Sequence, residues 1–197
     1  MHYRLQVSRD TLHNKHGLGE NMKIYMTGPD GDLILQKGRS IVVEFEHGQT
    51  LELASSQSPL PPEIPDGFEL WGGRIPTETS RDVVTSRLNI TPVAANGITV
   101  SPYNEATSRA AITVLSVADD DGNLTPLTTS TAVLELANGK TVEVMEDYGQ
   151  KGLLIWGGRE PNPDLAFEEI KARTECLGLY SIAANVVHIF AYKLASD

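Results

Sequence analysis

The feature that most constrains this chain is that it says nearly the same thing twice. Residues 41–53 lie over residues 132–144 at a shift of 91, and Glu44, Gly48, Thr50 and Glu52 each meet an identical residue, Glu135, Gly139, Thr141 and Glu143. Trp71-Gly72-Gly73-Arg74 then lies over Trp156-Gly157-Gly158-Arg159 at a shift of 85, so the loop before it is six residues longer in the first copy. Ala94-Ala95-Asn96 lies over Ala183-Ala184-Asn185 at a shift of 89, which gives the second copy four extra residues, about one helical turn at ~3.6 residues per turn. Asp30-Gly31-Asp32-Leu33 also falls over Asp121-Gly122-Asn123-Leu124 at a shift of 91. Blocks that match in one order with small length changes indicate tandem duplication of a single unit.

Within the unit the period is that of strands. Leu134, Leu136, Val142 and Val144 fall in one parity class and Glu135 and Glu143 in the other, the pattern of a half-buried hairpin. Its turn holds Asn138-Gly139-Lys140, and facing residues agree when the loop has an odd number of residues, with Gly139 supplying a positive φ. His47-Gly48-Gln49 repeats the turn in the first copy. Further strands are expected over residues 68–71 and 153–156, 88–93 and 177–182, 98–102 and 186–192.

One short helix per copy is expected between the third strand and the next. Asn162 can cap it, Pro163 suits its first position, and Phe167 and Ile170 share a face. In the first copy the start is Thr79-Ser80-Arg81-Asp82, with Val84 and Leu88 facing inward. The expected fold class is therefore α+β, mainly antiparallel β, as two tandem β-rich units, 1–104 and 105–197, packed with pseudo-two-fold symmetry. Residues 101–107 read as the link. The polar stretch 8–21 and the proline-rich stretch 55–66 read as exposed loops suited to partner contact.

Charge narrows the partners. Against 16 basic residues stand 26 acidic ones, a net charge of -10, so the average surface repels nucleic-acid backbones and anionic membranes. Cys176 is the lone cysteine, which rules out an intramolecular disulfide and a multi-cysteine zinc site. The first ten residues lack the apolar run of a signal peptide, and a cytoplasmic setting is the expectation.

Trp-Gly-Gly-Arg is the leading candidate for chemistry. Trp71, Gly72, Gly73 and Arg74, with Trp156, Gly157, Gly158 and Arg159, combine glycines whose N–H groups can nest an anion with an arginine fork. The competing structural reading has the glycines turning the chain, tryptophan packing, and arginine pairing with a glutamate kept in both copies. Asn96 and Asn185 either orient a ligand held by the arginines or stabilise their own turns. Glu44, Glu46, Glu52, Glu135 and Glu143 resemble paired carboxylates but read as solvated strand faces open to a basic protein partner.

Asp119-Asp120-Asp121-Gly122-Asn123 departs from a calcium loop, because its glycine comes early and Ser130 stands where a bidentate glutamate belongs; it reads as a hairpin turn. His13 and His16 lack a third ligand nearby, His188 reads as half-buried, and Cys176 reads as lying at a helix end in an apolar setting. No phosphate loop, dinucleotide fingerprint or nucleophile elbow is present, and no metal or cofactor is expected. The expected function is a non-enzymatic, soluble binding or interaction protein that holds a small nucleotide-like anion at the paired turns. The alternatives are an acidic inhibitor or decoy for a basic protein site, and an enzyme with its site between the units. Self-association is compatible with all three.

Overall fold

A computed structural model describes residues 22–76, 86–103, 110–147, 149, 151–158 and 175–193. Among these residues the chain is all strand and turn, in two seven-stranded antiparallel sheets. One sheet runs β2 (Leu33–Gln36), β1 (Lys23–Thr27), β10 (Thr131–Glu135), β11 (Thr141–Glu146), β12 (Leu153–Gly157), β7 (Gly97–Pro102), β6 (Leu88–Ala94). The other runs β9 (Leu124–Pro126), β8 (Ile112–Ala118), β3 (Ser40–Phe45), β4 (Thr50–Ser55), β5 (Phe68–Gly72), β14 (Val186–Tyr192), β13 (Cys176–Ala183). The helix starts expected at Thr79 and Asn162 lie outside the described residues.

Moving every strand of one sheet seven places along the chain gives the order of the other. Each sheet takes its three central strands from one half of the chain and its two flanking pairs from the other. The halves are thus interlaced rather than set side by side. Four strand pairings carry the exchange, β1 with β10, β12 with β7, β3 with β8 and β14 with β5.

The hairpins form where alternation places them. Leu134, Leu136, Val142 and Val144 all enter the core between the sheets, together with Ile41, Val43, Leu51 and Leu53 from the matching hairpin. Burying one such side chain fully stabilises by about 1.5–3 kcal/mol relative to exposure. The Phe45 N–H donates to the Gln49 carbonyl at 2.9 Å and the Leu136 N–H to that of Lys140 at 2.8 Å, so both loops hold an odd, three-residue count. Gly48 and Gly139 close them at φ 75° and 79°, a region that side chains bearing a Cβ avoid. Asp119 to Asn123 forms the hairpin turn between β8 and β9, with the Asp119 carboxylate accepting from the Asp121 and Asn123 N–H groups.

One expectation fails. The face of each sheet turned away from the core is not open, because Val42, Glu52, Val133 and Glu143 on it are all buried. The hairpins are covered on both sides, and on the first of them Arg74 lies against Glu52.

Candidate functional site

Register lines up one row of residues across each outer face. In one sheet Ser116, Val42, Glu52, Trp71, Val186 and Ala183 stand side by side on successive strands. In the other the row is Tyr25, Val133, Glu143, Trp156, Gly97 and Ala94. Each tryptophan therefore sits between a glutamate of its own half and the strand that follows Ala-Ala-Asn of the other half.

Glu52 is the centre of the first row and is wholly buried. Its Oε1 accepts from the Ser40 hydroxyl at 2.6 Å, and its Oε2 accepts from Arg74 Nε at 3.0 Å and the Ile75 N–H at 2.7 Å. The guanidinium of Arg39, itself 3% exposed, lies 3.5 Å from Oε1. Arg74 also donates from Nη2 to the Gly122 carbonyl at 3.1 Å, tying the turn of one half to the hairpin of the other. Of the two sequence readings of Arg74, the pairing with a glutamate kept in both copies is the contact present. Glu143, the counterpart of Glu52, is also buried, and Arg159 lies outside the described residues.

The glycine N–H groups have partners as well. Gly72 N–H donates to the Asn185 carbonyl at 2.7 Å and Gly157 N–H to that of Asn96 at 2.8 Å, while Gly73 and Gly158 donate to Thr50 and Thr141 at 2.8 and 2.7 Å. An anion at these turns would have to displace backbone bonds already made. Glycine is needed at Gly72 and Gly157 for a close approach instead, since a Cβ there would lie 1.8 Å from the Ser86 carbonyl oxygen and 1.9 Å from that of Glu175. Trp-Gly-Gly-Arg and Ala-Ala-Asn do meet in space, each with the copy from the opposite half, and what joins them is main chain. Asn96 is buried and Asn185 half-buried.

The glutamates assigned to the solvated faces of the two hairpins divide. Glu44 and Glu46 are exposed, and Glu135 is half-buried, pairing with Lys23 Nζ at 3.2 Å and accepting from the Tyr25 hydroxyl at 3.2 Å. The hydrogen bond and charge of Glu135 raise the Lys23 pKa above its ordinary value. Glu52 and Glu143 leave the solvated set because both are buried, Glu52 against Arg39 and Arg74.

A second polar cluster escaped sequence reasoning. Glu69, 1% exposed, accepts from the Gln57 and Ser58 N–H groups at 3.0 and 2.7 Å and from Trp71 Nε1 at 3.0 Å. Opposite it in register stands His188, fully buried rather than half-buried. Its Nε2 lies 2.9 Å from the Pro65 carbonyl, which only accepts, so Nε2 carries a proton, and Nδ1 is hydrogen-bonded to the Ser56 hydroxyl. The proline-rich stretch expected as an exposed loop is thereby pinned at both ends to the outer face of its sheet. Polarity inside a strand was the only signal for this, and on its own it does not distinguish a wet face from a covered one.

Among the described residues no group of three histidine, cysteine, aspartate or glutamate side chains converges, and no helix is long and apolar enough to cross a membrane. Cys176, half-buried, opens β13. His13 and His16 lie outside the described residues. No protein-family model, curated protein or solved structure matches this chain.

Proposed function

We propose that the chain is a non-enzymatic interaction protein, made by tandem duplication of one β-rich unit, that takes an extended, basic-flanked segment of a protein partner along the outer edge of β2. The duplication is supported by the matching strand orders and by equivalent backbone bonds at the two sets of turns. On this reading Trp-Gly-Gly-Arg and Ala-Ala-Asn recur because each half needs them to close the other half's sheet. The surface is then left to carry function.

The observation that carries the edge reading is the exposure of three consecutive apolar residues on a terminal strand, Leu33 at 38%, Ile34 at 44% and Leu35 at 62%. A sheet edge that presents apolar side chains and open main-chain groups is a template for another strand. The Gly28 N–H donates to the Asp32 carbonyl at 2.8 Å, so along the register Met26 and Ile34 face each other as a bonded pair and the main-chain groups of Leu33 and Leu35 point away from β1. Two of the other edges are blunted by proline, Pro92 in β6 and Pro126 in β9, so β2 is the less protected end of its sheet. Asp30 and Asp32 flank it, and the chain's net charge of -10 favours a basic partner over a second copy.

A fluorescent peptide of alternating valine and lysine, about eight residues long to match a strand, tests this in the full chain. Binding should weaken with salt and be lost in Leu35→Asp and in Leu35→Pro, whose outward N–H is removed. Equal binding by these variants, or an effect of the variants on self-association alone, sinks the reading. A broad nucleotide panel that raised the melting temperature of the parent but not of Arg74→Ala would instead favour the anion-binding alternative.

A further inference from the structure

Between β8 and the start of β10 lies a cavity of about 210 Å³, walled on one side by apolar side chains such as Leu115 and Leu127. Its polar lining is Thr113, Thr128, Thr129, Ser130 and Glu146. We propose that this cavity binds a monovalent organic cation bearing N–H donors, an alkylammonium or alkylguanidinium group.

The lining is one-sided in its hydrogen-bond chemistry. Thr113 gives its hydroxyl proton to the Glu44 carbonyl at 3.0 Å, Thr128 to the Met26 sulfur at 3.0 Å, and Thr129 to the Thr131 carbonyl at 2.9 Å. What these hydroxyls have left to offer is lone pairs. Glu146, half-exposed at the end of β11, adds a carboxylate that no hydrogen bond or ion pair engages among the described residues. The register that sets Thr131 opposite Met145 brings Ser130 and Glu146 opposite each other one step further on. With the Ser130 hydroxyl free to turn as donor or acceptor, the remaining set is acceptors with one negative charge, which selects a donor-rich monocation. A calcium ion, which takes roughly 6–8 oxygens and commonly several carboxylates, is poorly served by one.

The first half of the chain gives an internal comparison. At the shift of 91, Ser130 falls on Arg39 and Glu146 on Ser55. The strands support that alignment, since Ser40 pairs with Ala54 as Thr131 pairs with Met145. Arg39 is a buried cation on an alkyl stem, just before the strand, with its guanidinium near Glu52. The second half replaces that long cationic side chain by serine, which leaves room, and replaces the facing serine by glutamate, which supplies charge. A free cation with a short alkyl tail fits where the Arg39 stem begins in the first half, with Glu146 in place of Ser55 as its counter-charge.

Calorimetric titration of the full chain with propylguanidinium and with butylammonium tests the site, using tetramethylammonium as a cation without N–H donors and butanol as a neutral tail. The donor cations should bind saturably in the millimolar range, at about −4 kcal/mol, and the two controls should not. Glu146→Gln, with folding verified by circular dichroism, should weaken binding by about tenfold or more. Ser130→Arg should occupy the cavity from within, abolishing binding and raising the thermal midpoint. The proposal is overturned by absence of saturable binding to the parent, by equal binding of tetramethylammonium, or by a folded Glu146→Gln protein that binds as the parent does.

Discussion

Replacing Glu52 by alanine tests the outer face at its centre. The substitution deletes an acceptor for the Ser40 hydroxyl, for the Ile75 N–H and for Arg74 Nε, and it removes the counter-charge 3.5 Å from Arg39. The partners differ in how they recover. Arg74 is 29% exposed and can turn to water, whereas Arg39 at 3% cannot. Breaking a buried pair from one side costs about 3–5 kcal/mol because the remaining charge stays uncompensated. An orphaned buried N–H costs about 1–3 kcal/mol, part of which overlaps with that figure. We expect a loss of about 4 kcal/mol, a large share of the roughly 5–15 kcal/mol that domains possess.

At about 2–4 °C per kcal/mol for a chain of this size, the melting midpoint should fall by about 8–16 °C. Urea denaturation followed by circular dichroism reads the free energy, and calorimetry the midpoint. Arg74→Ala should cost clearly less, because Glu52 keeps Ser40, Ile75 and Arg39. Replacing Arg39, Glu52 and Arg74 together by leucine should be milder than Glu52→Ala, since no buried charge is then left alone. A Glu52→Ala protein within about 1 kcal/mol of the parent would mean that the row is solvated and the account of the outer face is wrong.

The close approaches at the two motifs give a paired expectation. Gly72→Ala and Gly157→Ala should each destabilise by about 1–3 kcal/mol or more, because the added Cβ meets main chain in both cases; one tolerated substitution, read in the same urea experiment, would break the equivalence. Gly139→Ala has open space around it but a φ of 79°, so it should cost about 1 kcal/mol through backbone strain alone. Asp119 should titrate below the ordinary carboxylate range, because the Asn123 side chain and then its N–H group bond to the charged form. With the folded value depressed, its support for the β8–β9 turn is complete above the usual carboxylate pKa and is lost as pH falls through the folded one. Carbon-detected NMR titration should show Asn123→Ala moving that value upward, and an unmoved value would refute the cause.

How much of the fold and of the site is legible in the sequence depends on the range of the interaction. Leu134, Leu136, Val142 and Val144 announce their hairpin because alternation is local, and Gly48 and Gly139 announce their turns because only the chain beside them sets φ. The exchange of strands between sheets is not legible. β1 can pair with β3 or with β10, and two near-copies offer it the same apolar edge, so pattern alone does not choose. The burial of Glu52 and Glu143 is hidden for a related reason: alternation separates two faces without saying what lies over either. Arg39, which stands 13 residues before Glu52 in the sequence, carries no periodicity that marks it as a lid. Gly72 and Gly73 satisfy the spacing of an anion nest and of a tight backbone junction equally well. In the fold the Gly72 N–H meets the carbonyl of Asn185, far away in sequence.

The interlacing of the two halves is most directly tested by NMR on the full chain with residues 1–104 and 105–197 carrying different isotopes, joined by segmental ligation. Cross-half Overhauser contacts should appear at the register pairs Tyr25 with Val133, Val43 with Leu115, Ile155 with Ile98, and Leu70 with Val187. Backbone contacts confined within each half, with none linking β1 to β10 or β5 to β14, would contradict it.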